Sequence, residues 1–450
     1  MPSAASDRPG LDDGTGIPLS PLEPWIAEKI GRGKQPLSEK SLTAYQLARL
    51  RGTLRLARAK SAFYRRQRIS ADEISTLDDF ASLPFTTPQD IQDDPLAFLC
   101  VSQDEIARVV TLDTSGTTGK PKRLFFTAAD QELTIDFFRV GMSTFTRRGD
   151  RVLILLPVAR PGSVGDLLFT ALARLGAGGI PHGPVTNIDT ALEALEATGA
   201  EVVVGSPAQV LALARQPGAQ RLAVRCVLLT TDSVPASLAR AVEHAWGCTV
   251  FNHYGMTEMG LGGGVECQAR RGYHLREADL LFEVVDPATG RPLPEGETGE
   301  IVFTTLTRRG MPLIRYRTGD LSHFIPGPCQ CGTVLRTLAC VEGRIANRVT
   351  IGPHGVLTLA ELDEALFAVP GVIDFRATIA CKERDELYVD TRVAPGTGAT
   401  AAADLQAAMM HIPFVRSALE NDALSIRVEV RTQAPDTPPP LAKRLITDLR

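Results

Sequence analysis

The segment Asp113-Thr-Ser-Gly-Thr-Thr-Gly-Lys-Pro-Lys122 concentrates glycines, hydroxyls and lysines in ten residues. Gly116 and Gly119 let backbone N–H groups approach an anion closely. Thr114, Ser115, Thr117 and Thr118 add hydroxyl donors, and Lys120 adds a mobile positive charge, with Lys122 close behind. Such a set suits a triphosphate. It is not a Walker A loop, which needs four residues between its glycines and a Ser or Thr after the lysine. Here two residues separate the glycines and Pro121 follows the lysine.

Two further strings offer nucleotide chemistry. In Tyr254-Gly-Met-Thr-Glu258, Tyr254 presents an aromatic face to a purine and Thr257 a hydroxyl to an α-phosphate. Glu258 is a hard oxygen ligand suited to Mg²⁺. Asp320, in the string RYRTGDL, can accept hydrogen bonds from vicinal ribose hydroxyls. Cys267 and His274 form C-x6-H, and Cys329 and Cys331 form C-x-C in a Gly/Pro-rich context. Three thiolates and one imidazole can close a tetrahedral site, so a structural Zn²⁺ is expected, although the spacing is no standard zinc finger. Cys100, Cys226, Cys248 and Cys340 lie in apolar strings and read as packing.

These residues must be held by a scaffold, and the chain shows one. Short apolar runs (RVVTLD, RVLILLP, AEVVVGSP, RCVLLTTDS, CTVFNHYG) alternate with helical segments between residues 108 and 255. That alternation predicts an α/β fold with a mainly parallel sheet, whose ligand lies beyond the carboxyl ends of the strands. His182, Gly205, Ser206, Asp232, Asn252, His253 and Gly255 fall at or near such ends and are the expected walls of a substrate pocket. Residues 281–325 alternate between turns and strands and predict an antiparallel β insert. Residues 42–63 repeat apolar positions at three- and four-residue steps, predicting an amphipathic helix. From about residue 345 the pattern is that of a small α+β module. The expected division is a tail over 1–20, a large N-terminal domain over 21–342 and a small mobile C-terminal domain over 343–450.

Composition sets the outer bounds. Net charge is −4 over 450 residues, with no long basic run, which argues against nucleic-acid binding. No stretch reaches the roughly 18 apolar residues of a membrane span, and the polar start lacks a signal-peptide core. Eight cysteines are too few for a disulfide scaffold, so a reducing, cytoplasmic setting is expected.

The chain resembles the acyl-adenylate-forming superfamily, and within it the phenylacetate–CoA ligases and related aryl-CoA ligases. The likeness runs over residues 54–344 and rests on LARAKSAFYRR, LPFTTPQDIQDDP, SGTTGKPK, YGMTE, DPATGRPLPEGETGEIVFTTL and RYRTGDL, in that order. It implies attack of a carboxylic acid, expected to be aromatic, on ATP to give an acyl-adenylate and pyrophosphate. Transfer to the thiol of coenzyme A would follow. It also implies roles: Tyr254, Thr257, Glu258 and Asp320 at the nucleotide, Arg344 with Gly343 at a hinge, and Lys443 as the adenylation lysine. Ala346 stands where a hinge residue is expected, and the terminal PPPLAKRLITDLR departs from the family's ending. An enzyme that loads a carrier protein, or a silent nucleotide-binding relative, therefore stays open, as does a homodimer.

Overall fold

The structure is a computed structural model that describes residues 16–67, 71–112, 121–351, 355–381, 383–398, 400–434 and 444–450. Thr114, Ser115, Gly116, Thr117, Thr118, Gly119, Lys120 and Lys443 lie outside the described residues, as do residues 1–15 of the expected tail.

An eight-stranded sheet forms the centre. From one edge its order is Gly178–Pro181, Arg151–Ile154, Val202–Gly205, Cys226–Leu229 and Thr249–Tyr254, all parallel. Gly264–Glu266, Tyr273–Leu275 and Thr337–Leu338 then continue it antiparallel. The parallel strands are covered on both faces, which is why Val202-Val203-Val204 is apolar without alternation. The helices Val164–Leu175, Ile188–Thr198 and Ala236–Trp246 stop at Gly176, Gly199 and Gly247, each left-handed, at φ 81°, 55° and 62°. Gly178–Pro181 escapes sequence reading because its composition, Gly-Gly-Ile-Pro, is that of a turn.

One sequence expectation is corrected. The run before the glycine-rich segment does not join the parallel sheet. Ile106–Leu112 pairs antiparallel with Lys122–Thr127 in a separate two-stranded ribbon. Its residues alternate between half-buried and exposed, the pattern of a strand covered on one side only. The ribbon thus presents both ends of the 113–120 segment.

The antiparallel insert is present as Leu280–Val285, Gly299–Thr305, Tyr316–Ser322 and Gly343–Arg344. The amphipathic helix is Glu39–Lys60, begun by a Ser38 cap and ended at Ser61, which caps the next short helix, Ala62–Arg66. Of the expected tail, Ser20 is buried at the entry to the helix Leu22–Lys29.

After Arg344 a four-stranded sheet runs Leu424–Thr432, Asp385–Val393, Val372–Cys381, Ile446–Asp448, with the helices Leu359–Phe367, Ala401–Met410 and Pro413–Glu420. The last helix is additional to the sequence reading and begins with Pro413 in its first turn. Buried apolar residues of this part, such as Leu362, Phe367 and Phe375, form one continuous cluster with Leu211, Val227 and Leu238 beside the parallel sheet.

Candidate active site

A cavity of about 680 Å³ opens beyond the carboxyl ends of Cys226–Leu229 and Thr249–Tyr254. Its floor includes Thr231, Asp232, Ser233, Asn252, Tyr254 and Gly255. One wall is Asp320, Cys340, Gly343 and Arg344, and its roof is Asn347, Leu359, Asp363 and Glu364. Thr231 adopts φ 77°, a left-handed conformation that a non-glycine residue holds only when its surroundings impose it. Gly255 leaves no choice of residue, because a Cβ there would lie 2.3 Å from the Leu261 carbonyl oxygen.

Asp320 is buried, and three elements converge on its carboxylate. The Tyr254 hydroxyl donates to Oδ2 at 3.1 Å, and the Arg344 Nε lies 2.9 Å from Oδ1. Strand pairing sets Asp320 directly opposite Arg344. The Tyr254 ring stacks on Tyr273 with centroids 5.7 Å apart, so one of its faces is already covered. The result is an oriented carboxylate with an aromatic ring beside it at the cavity wall.

Glu258 is buried and does not line this cavity. Its Oε1 is met by the Lys122 ammonium and, at 3.1 Å, by the Tyr316 hydroxyl. Arg308, also buried, donates to the Glu258 carbonyl at 2.8 Å and to the Phe125 carbonyl at 3.0 Å. The carboxylate expected to take a metal is therefore held by a lysine from the strand that follows the glycine-rich segment. Thr257 is half-buried at the start of a 3₁₀ turn, Thr257–Met259, and lines neither this cavity nor the apolar chamber beside it.

Of the expected pocket residues, Asp232, Asn252, His253 and Gly255 come together on the cavity. His182, Gly205 and Ser206 do not. His182 follows the edge strand of the sheet and its Nδ1 lies 3.0 Å from the Gly183 carbonyl oxygen. Gly205 is packed against Val210 and Leu155, so it serves close packing. Ser206 precedes the helix Pro207–Ala214. Being near a strand end is not sufficient, because only the two middle strands point at the cavity.

Sequence reading missed several wall residues. Glu266 accepts the Asn252 N–H at 2.8 Å, and burial pushes its carboxyl up to about 7. Cys340 is not plain packing: it is half-buried on the cavity wall, with its Sγ 3.6 Å from the Asn252 amide nitrogen. Arg444, next to the expected Lys443, is buried. It reaches Asp363 at 2.7 Å, Asp232 at 3.5 Å and the Ser233 carbonyl at 3.5 Å. Burial nevertheless pushes Asp363 up to about 7. Glu364 completes this join, accepting the Ser237 N–H at 2.9 Å and the Ala236 N–H at the start of the helix Ala236–Trp246. None of these contacts has a local sequence signal.

The Cys267, His274, Cys329 and Cys331 set comes together: their donor atoms all lie within 4.8 Å of one another. Cys267 and Cys329 sulfurs are 3.7 Å apart, and the Cys331 sulfur is 3.4 Å from the His274 Nε2. A tetrahedral zinc with sulfurs at about 2.3 Å separates its ligand atoms by roughly 3.7 Å, so the donors and spacing fit. The cluster ties the loop after Tyr316–Ser322 to the antiparallel end of the central sheet.

The sheet, with a cavity at its strand ends and the oriented Asp320 on the cavity wall, defines an α/β architecture that places a ligand-sized cleft beyond the carboxyl ends of its strands. The AMP-binding enzyme family matches residues 43–306, and the chain belongs to it. A phenylacetate–coenzyme A ligase of Thermus thermophilus is 30% identical over 368 residues, 78% of this chain and 80% of that protein. The phenylacetate–coenzyme A ligase of Escherichia coli is 30% identical over 331 residues, 69% and 72% of the two chains. Among solved structures, 2-hydroxyisobutyryl-CoA ligase in the postadenylation state with 2-HIB-AMP superposes with TM-score 0.77 at 23% identity, over 92% of this chain and 90% of that one. The same ligase in the thioesterification state, with 2-HIB-AMP and CoA, gives TM-score 0.64 at 23% identity, over 92% and 91%. The fold is thus that of the acyl-adenylate-forming ligases.

Proposed function

We propose that this protein is an AMP-forming acid–CoA ligase acting on an aromatic carboxylic acid. The observation that carries the reading is the cavity where Tyr254, Asp320 and Arg344 meet at the strand ends. A buried carboxylate oriented by a tyrosine and an arginine matches the demand of two ribose hydroxyls. In the first step an acid carboxylate oxygen attacks the α-phosphorus and pyrophosphate leaves. In the second, the sulfur of coenzyme A attacks the acyl carbonyl and AMP leaves. The protein's work is positioning and charge neutralisation, so no nucleophilic side chain is required.

Residues Thr114 to Lys120 would wrap the β- and γ-phosphates, and Thr257 would meet the α-phosphate. Lys443 stays our assignment for the lysine that completes adenylation, beside the buried Arg444. Glu258 is the residue that would hold Mg²⁺, and the bound ion would neutralise phosphate charge. The Lys122 ammonium now on that carboxylate would then turn to the phosphates. Cys267, His274, Cys329 and Cys331 would hold a closed structural Zn²⁺. His274 presents its Nε2 to the cluster while its Nδ1 lies 3.4 Å from the Arg336 carbonyl oxygen, the arrangement that fixes the ring of a ligating histidine. The 343–450 segment is proposed as a small module that swings about Gly343-Arg344 between the two steps.

The test is acid-dependent exchange of labelled pyrophosphate into ATP, followed by mass spectrometry for an acyl-CoA thioester. Exchange with thioester supports the ligase. Exchange without thioester moves the second step to a carrier protein or another acceptor. Absence of exchange over a broad panel of acids sinks the reading.

A further inference from the structure

Beside the nucleotide cavity lies a second, smaller chamber of about 30 Å³. Its wall is apolar, with Phe137, Phe138, Met142, Leu228 and Val265 prominent, and among the described residues its polar side chains are those of Thr230 and His253. His253 lines both cavities, so its imidazole stands in the partition between them. The ring lies 6.1 Å from that of Phe137 and 6.0 Å from that of Phe138. Its Nδ1 is engaged by the Thr230 hydroxyl at 2.8 Å. Among the described residues its buried Nε2 has no hydrogen-bond partner.

An imidazole nitrogen left unpaired in an apolar setting is costly, because its desolvation is not repaid by a hydrogen bond. The Thr230 hydroxyl accounts for Nδ1 alone and leaves Nε2 without a structural role. The orphan therefore reads as a donor or acceptor awaiting a partner that arrives with a ligand. Burial also pushes the imidazole down to about 4, so the ring is neutral at physiological pH. A neutral ring attracts no second carboxylate, and it can donate or accept at Nε2 according to its tautomer. A hydroxyl group answers either tautomer. The volume points the same way. A water needs roughly 10–15 Å³ of such space, so the chamber as it stands holds only a small group. A single ring enters only if Met142 or a phenylalanine turns aside.

Resting on the acid–CoA ligase reading, we propose that the small chamber receives the body of the acid and that His253 Nε2 selects acids carrying a hydroxyl on an otherwise apolar skeleton. The discrimination follows from desolvation: an acid without the hydroxyl enters the same walls but leaves Nε2 unpaired.

The experiment measures kcat/KM for pyrophosphate exchange with matched acids: benzoate against its three monohydroxy derivatives, and isobutyrate against 2-hydroxyisobutyrate. The two sets separate an aromatic from a compact aliphatic body. The full-length protein, His253→Leu and His253→Gln are compared. Wild type should prefer at least one hydroxylated acid over its parent by tenfold to a hundredfold. His253→Leu should erase that ratio, mainly through KM for the hydroxylated acid. His253→Gln, which retains a hydrogen-bonding group, should restore part of it. Exchange in wild type with equal efficiency for every matched pair overturns the His253 assignment and leaves the ligase reading standing. Absence of exchange with every acid overturns both. If His253→Leu fails to fold, the wild-type ratios and His253→Gln still decide.

Discussion

At the scale of single residues, the carboxylate of Asp320 is the most exacting feature. It is held by Tyr254 and Arg344, so the ribose role proposed for it can be tested with little change in shape. Asp320→Asn keeps the volume and removes the charge. Two charge-assisted hydrogen bonds weaken, and the KM for ATP should rise roughly tenfold to a hundredfold, with a near-native thermal melt. Equal KM values in the two proteins would remove Asp320 from the ribose site. His253 supplies a pH signature. Its folded value near 4 lies below the unfolded value of about 6.5, so the neutral ring's contribution is complete above about 6.5 and is lost as pH falls toward 4. The expected loss is on the order of 2–3 kcal/mol over that window. Urea denaturation at pH 7.5 and 4.5 should show His253→Leu losing less stability than wild type between the two conditions.

At the scale of elements, the strands were legible wherever apolar runs met glycine-terminated helices, as in Val202–Gly205 and Cys226–Leu229. The edge strand Gly178–Pro181 was not, since tertiary pairing rather than propensity makes it a strand. The antiparallel partner of Ile106–Leu112 was equally hidden, because register depends on the chain beyond the turn. The Cys267, His274, Cys329 and Cys331 cluster was legible by residue type alone, although Cys267 and Cys329 lie 62 positions apart. Glu266 with Cys340, and Arg444 with Asp363, have no such chemical rarity, so only the folded chain reveals them. The cluster joins a loop to a sheet edge, so its removal should be felt locally. Cys329→Ser should lose about one zinc per chain by elemental analysis and lower the melting temperature. A wild type without metal would discard the site.

At the scale of the whole molecule, the C-terminal segment is joined to the sheet by apolar packing and by Arg444 and Glu364. A swing about Gly343-Arg344 must separate both. Glu364→Ala removes the carboxylate that accepts two backbone N–H bonds at a helix start, without creating a buried charge, which typically costs about 1 kcal/mol. Amide exchange should quicken in residues 345–434 and at 236–240, while the strands Val202–Gly205 and Cys226–Leu229 keep their protection. Uniform quickening across the chain would mean that the segment does not open as a unit.

The pairing of Lys122 with Glu258 sets an order of events on the reading in which Glu258 takes magnesium. A lysine tethered two strands' reach away behaves as a resident cation that never diffuses off, so a dissolved ion competes against a neighbour at high effective concentration. Free metal on its own is then a poor competitor. Phosphates arriving with the metal change the contest, because they offer the ammonium somewhere else to go. Loading of the divalent ion and of the nucleotide thus becomes a single exchange of partners.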